Sequence, residues 1–228
     1  MSLRFQDPAG RPVLLVGLTG GIATGKSTVS GMLREMGAPV VDADAIVHEL
    51  MEPGGAAVEP VVAAFGEEVR GPAGGIDRAA LARTIFRDEP ARKQLESIVH
   101  PMVLTVSRLR LRAATDGGSE LVVYDAALLV ETNRHPEFHR LVVVVTTPEE
   151  QLERLMRRDR LDIDQAGARI RSQLPLPQKV ALADYVIDNS GHWTETRRQV
   201  AEALRLLRED AQVLREGGPL PGRRTGRG

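Results

Sequence analysis

The sequence predicts an α/β fold, with five parallel strands in one sheet and helices on both faces, making three layers. Three observations predict it. Short, wholly apolar runs recur along the chain, helical patterns fill most gaps between them, and a glycine-rich turn follows the first run. Continuous apolar runs, rather than alternating ones, mark strands that are covered on both faces, as in parallel sheets.

The five strand candidates are "VLLVGLT" from Val13, "PVVDAD" from Pro39, "LVVYD" from Leu121, "LVVVVT" from Leu141 and "DYVIDNS" from Asp184. A first helix is predicted over residues 26–36, where Val29, Met32, Leu33 and Met36 recur at i, i+3, i+4 and i+7, with Gly37 as its stop. A last helix over residues 196–215 aligns Val200, Leu204, Leu207, Ala211 and Leu214. Residues 45–120 are far more than a crossover needs and read as a helical insertion, including "DRAALARTIF" and "EPARKQLESIV". His100 precedes Pro101, which pushes it out of helical geometry, so it reads as a helix-end histidine. A second excursion covers residues 148–182. Residues 1–11 are expected to be a flexible extension, residues 12–216 the folded domain, and residues 217–228 a disordered basic tail.

Composition narrows the function. The chain has 228 residues, 42% of them apolar and 27% charged, with a formal net charge of -1. That balance points to no nucleic-acid or membrane partner. The absence of cysteine excludes disulfides, thiolate metal sites and cysteine nucleophiles. The N-terminus carries no apolar signal core, so a cytoplasmic protein is expected, monomeric or weakly self-associating.

The strongest motif is "GGIATGKST". Gly20, four further residues, then Gly25, Lys26 and Ser27 match the complete G-x-x-x-x-G-K-[ST] pattern of a P-loop, between a predicted strand and a predicted helix. Glycines let backbone N–H groups wrap an anion, and the helix N-terminus adds partial positive charge. Lys26 can reach the β- and γ-phosphates of ATP, and the Ser27 hydroxyl can ligate magnesium. No guanine-reading Asn-Lys-x-Asp stretch is present, and the chain is short for a motor, so a small kinase is expected.

Ligands of open parallel sheets lie beyond the C-terminal strand ends. Asp42 and Asp44 close the second predicted strand, and Asp125 closes the third. If extended, Asp42 and Asp44 project to one side. Such a carboxylate can align an acceptor hydroxyl and take its proton, whereas Asp125 occupies the place of a magnesium-orienting acid. The alternative is that these acids cap the following helices. In "TTPEEQLERLMRRDR", Thr147 and Glu150 suggest a capping box, Leu152, Leu155 and Met156 an apolar stripe, and Arg154, Arg157 and Arg158 a basic face suited to developing phosphoryl charge. Arg169 and Gln173, four apart on another predicted helix, can share that task.

The chain from Val13 to the final helix resembles the bacterial dephospho-CoA kinases, a family of P-loop kinases. The resemblance is carried by "GLTGGIATGKST", "VVDADAIVHEL", "GGIDRAALARTIF", "LESIVHP", "DAALLVE", "QLERLMRRD" and "RIRSQLPLPQKVALADYVIDNSG", in order. It implies a P-loop core, a helical CoA-substrate region, a lid, and transfer of the ATP γ-phosphoryl group to the 3′-hydroxyl of dephospho-CoA with Mg2+. Carried over, Asp44 is the catalytic base. Gly21, Ile22, Ala23, Thr24, Gly25, Lys26, Ser27 and Thr28 bind the ATP phosphates, and Arg154 and Arg158 are lid contacts. Asp42, His100, Asp125 and Glu131 face the acceptor, and Asn189 approaches the adenine. The family usually has Gly where Ala23 stands, and Pro and Phe where Ala127 and Val130 stand. Another small-metabolite or nucleoside kinase, or a slow nucleotide switch, shares the loop and differs in its acceptor or lack of one.

Overall fold

In the computed structural model, which describes residues 5–85 and 88–222, each apolar run becomes a strand. Along the chain come β1 (Leu14–Gly20), α1 (Lys26–Glu35), β2 (Val40–Asp42), α2 (Ala43–Met51), α3 (Val58–Phe65), α4 (Arg78–Ile85) and α5 (Glu89–Asp116). There follow β3 (Leu121–Asp125), β4 (Arg140–Val145), α6 (Pro148–Asp159), α7 (Ile163–Arg171), α8 (Leu176–Val180), β5 (Tyr185–Asp188) and α9 (Trp193–Arg215). The chain divides into two compact units, one of Met1–Val41 with Arg112–Gly228 and one of Asp42–Leu111.

The first unit holds the sheet, ordered β2-β3-β1-β4-β5. β1 is central and pairs in parallel with β3 and β4, and β4 pairs in parallel with β5. All residues of β1 and β3 are buried, which explains their uninterrupted apolar sequence. Leu14, Val16 and Leu18 belong to one core cluster with Val29 and Leu33 of α1 and Val200, Leu204 and Leu207 of α9. Each such side chain contributes roughly 1.5–3 kcal/mol on burial. A methyl group added at Gly17 would meet Leu129, Leu141 and Phe138, so these side chains cover β1 there. Tyr124 stacks on Phe138 at 5.4 Å. The chain leaves β1 toward β2 on one side and later enters β4 on the other, so the topological switch lies at the C-terminal end of β1.

Described residues near both ends make contacts with the folded unit. Residues 6 and 12 form an antiparallel bridge, and buried Asp7 bonds Arg11 and Arg215. At the other end, Arg140, paired with buried Asp210 at 2.6 Å, also donates to the Pro221 carbonyl at 2.7 Å. The arginine-rich residues 223–228 lie outside the described residues.

The second unit is helical, as predicted for the insertion, with a single antiparallel bridge between Arg70 and Ile76 among the described residues. Its helices bury Ile46, Leu50, Val58, Val61, Val62, Leu81, Val99 and Val103. Two expectations fail here. The second strand stops at Asp42, whose side chain accepts from the Ala45 N–H at 2.9 Å and caps α2, so Asp44 lies in the first helical turn and the alternation of extended chain does not apply. The helix beginning "EPARKQLESIV" does not stop before Pro101 but runs on to Asp116. Proline lacks one donor, and the long apolar pattern on either side outweighs that loss.

Candidate active site

The phosphate loop is built from the backbone outward. β1 delivers the chain at Gly20, residues 21–25 turn, and α1 begins at Lys26. Gly25, at φ 86°, is the left-handed residue before the helix. Any Cβ there would stand 2.0 Å from the Asn189 Nδ2, so glycine is required twice over. Ala23 adopts φ 60°, a conformation that favours glycine.

Carbonyls of the loop are consumed from behind. Thr24 Oγ1 donates to the Gly21 carbonyl at 2.9 Å, and Asn189 Nδ2 donates to the Thr24 carbonyl at 2.9 Å. Gln151 of α6 donates to the Ile22 carbonyl at 2.8 Å, and Gln173 accepts the Ile22 N–H at 2.7 Å. Among the described residues, no hydrogen bond uses the backbone N–H of Ala23, Gly25 or Ser27. Carbonyls tied inward with amides left outward is the polarity an anion needs. Ser27 and Thr28 are exposed at the start of α1.

The Lys26 ammonium bonds Asp125 Oδ1, and Asp125 is 1% exposed. Register explains the pairing, since Asp125 stands opposite Leu18, two residues before the loop. A buried carboxylate is tolerable because a cation answers it. The lysine expected on ATP and the acid expected near magnesium are partners.

The lid residues separate. On α6, Leu155 is buried, Arg157 and Arg158 are exposed, and Arg154 is half-buried. Arg154 donates to the Asn189 carbonyl at 2.9 Å and pairs with Glu150 at 3.2 Å, so it reaches the loop's support. Arg158 instead bonds Asp159 at 2.7 Å, as does Arg169. The Arg158 guanidinium bonded to Asp159 holds its carboxyl below the usual carboxylate range. The predicted capping box at Thr147 is only half made. Thr147 accepts from the Glu150 N–H, but the Glu150 carboxylate is drawn to Thr146 and Arg154. A full box forms at Asp162 and Gln165. α7 ends at Arg171, so Gln173 lies beyond it and does not share a helical face with Arg169.

Asn189 was expected toward adenine, yet its side-chain amide is engaged with Thr24 and Thr196. Glu131 accepts from the Leu174 N–H at 3.3 Å and from Lys179 at 2.7 Å. In the other unit, Asp42 caps α2, Asp44 follows in its first turn, and His100 is exposed within α5. Gln151, Lys179 and Thr196 were not singled out by sequence. Each acts across more than a hundred residues or through an ordinary hydroxyl, so no local pattern marks it.

This geometry can be set against known proteins. The family model for dephospho-CoA kinase matches residues 14–195. The chain belongs to the dephospho-CoA kinase family. It is 44% identical over 195 residues to the dephospho-CoA kinase of Syntrophotalea carbinolica, covering 86% of this chain and 92% of that one. The dephospho-CoA kinase of Bacillus thuringiensis is 43% identical over 84% of this chain and 96% of its own. Among solved structures, TT1252 from Thermus thermophilus superposes with a TM-score of 0.74 at 33% identity, covering 84% of this chain and 96% of that one. The dephospho-CoA kinase from Campylobacter jejuni shares the fold, with a TM-score of 0.58 at 24% identity over 85% of this chain and 96% of its own. The family match spans the phosphate loop, the Asp44 motif, Asp125, the lid and Asn189, and stops within α9.

Proposed function

We propose that this chain transfers the γ-phosphoryl group of ATP to the 3′-hydroxyl of the dephospho-CoA ribose, yielding coenzyme A and ADP, the final step of coenzyme A synthesis. Membership of the dephospho-CoA kinase family supports the acceptor. The observation that carries the phosphoryl donor is the loop of residues 20–27, with its carbonyls tied back and its helix start exposed.

Each residue then has a task. The outward amides of Ala23, Gly25 and Ser27 cradle the phosphates. Lys26 exchanges its bond to Asp125 for the β- and γ-phosphate oxygens as ATP enters. Ser27 and Asp125 would hold Mg2+, since one exposed hydroxyl and one carboxylate suit a hard, oxygen-seeking cation. It would offset the negative charge of the phosphates. Arg154 and Arg158 stabilise charge on the transferred group. Asp44 takes the acceptor proton, and Asp42, His100 and Glu131 are acceptor-binding residues. No described helix is long and apolar enough to cross a membrane, which is compatible with a cytoplasmic enzyme.

Phosphorus NMR of the product tests this reading. A new phosphomonoester coupled to the ribose 3′-proton of dephospho-CoA is expected. Phosphorylation of nucleosides or other small alcohols in its place would overturn it.

A further inference from the structure

Lys179 is a buried cation that the reading above does not use. It is 0% exposed, on the short helix α8. Its ammonium has three N–H donors, and three acceptors surround it. These are the Gly20 carbonyl at 3.1 Å, the Ala127 carbonyl at 3.2 Å and Glu131 Oε1 at 2.7 Å. Thr19 Oγ1 donates to the same Ala127 carbonyl at 2.8 Å. The three acceptors come from three places that must agree for phosphoryl transfer. Gly20 begins the phosphate loop, Ala127 follows the strand that ends in Asp125, and Glu131 also receives the N–H of Leu174, next to the Gln173 that holds Ile22.

We propose that Lys179 is a positioning residue, which fixes the start of the phosphate loop against the Asp125 segment and makes Glu131 its counterion. The proposal rests on the kinase reading and deepens it. A cation and a carboxylate 2.7 Å apart largely cancel at a distance, so Lys179 acts through geometry and adds little to the field at the phosphates. Its two carbonyl bonds turn those oxygens inward. Without them, the buried Gly20 carbonyl loses a donor and Ala127 keeps only the Thr19 hydroxyl, so the two segments are no longer tied to one group.

A methionine of similar length separates positioning from bulk stability. Lys179→Met alone leaves Glu131 without its buried cation and is expected to unfold at lower temperature. Pairing it with Glu131→Gln removes the stranded charge, so the double variant is expected to melt within a few degrees of wild type. The Gly20 carbonyl still lacks its Lys179 donor, and the Ala127 carbonyl keeps only the Thr19 hydroxyl. ATP affinity by calorimetry is therefore expected to stay at least tenfold weaker in the double variant, and acceptor-dependent kcat at least tenfold lower. Recovery of ATP affinity together with melting temperature would overturn the proposal. Wild-type protein that binds ATP but never phosphorylates dephospho-CoA would sink the kinase reading, while the affinity comparison would still decide the role of Lys179.

Discussion

Asn189 and Gly25 interlock: the Asn189 Nδ2 donates to the carbonyl of Thr24 and stands only 2.0 Å from where a Cβ of residue 25 would be. The end of β5 thus presses on the phosphate loop from behind. Gly25→Ala meets that contact and a positive φ, which alone costs about 1–2 kcal/mol. The variant is expected to lose ATP binding by calorimetry at least tenfold. Asn189→Ala, which removes the brace without adding bulk, is expected to weaken binding less, and thermal melts of both check that the fold persists.

Lys26→Met removes the cation that bonds Asp125 and that is proposed to reach the phosphates. Turnover is expected to fall by roughly 1,000-fold or more, as for other groups that meet transferring phosphoryl charge. Because Asp125 is buried, the variant is also expected to melt lower than wild type. Steady-state rates and thermal melts read both effects.

Asp44→Asn keeps a residue of the same shape in the first turn of α2 and removes the proposed base. A kcat lower by roughly 100- to 10,000-fold, with ATP affinity little changed, is expected from steady-state kinetics and calorimetry. Asp42→Asn retains an acceptor for the Ala45 N–H and is expected to act more mildly.

Ala23→Gly is expected to stabilise. Relief of the φ 60° conformation is worth about 1–2 kcal/mol, against about 0.4–1 kcal/mol for the greater freedom of glycine in the unfolded chain. For a chain of this size, the melting temperature is expected to rise by about 1–3 °C in calorimetry.

Asp159 receives both Arg158 and Arg169, and its carboxyl is held below the ordinary value of 3.8, chiefly by the Arg158 hydrogen bond. A depressed carboxyl stabilises the folded state above that value, and the contribution is lost as pH falls from it through the lowered pKa of the folded state. Asp159→Asn is therefore expected to melt lower than wild type at pH 7, with the difference shrinking as pH falls below 3.8. Melting curves across that range check the sign.

The sheet and the loop were legible because their signals are local. Five apolar runs need no distant partner to read as buried strands, and G-x-x-x-x-G-K-S contains its own glycines, cation and hydroxyl. What holds the loop in place was not legible. Gln151, Gln173, Lys179 and Asn189 reach it across 129, 151, 159 and 165 residues; Gln151 and Lys179 carry no local mark, and Gln173 and Asn189 were read for other tasks. Asp42 takes the alternative open to it, a helix cap, and its capping bond turns the chain into a helix one residue later and carries Asp44 out of the strand. Pro101 suggested a helix boundary that its long apolar context overrides.

The most direct measurement is the rate of ADP release from ATP and Mg2+, with and without dephospho-CoA. Release that rises at least a hundredfold with the acceptor, and stays at background in Lys26→Met, is the predicted result. Release that is equally fast in its absence would contradict phosphoryl transfer to that hydroxyl.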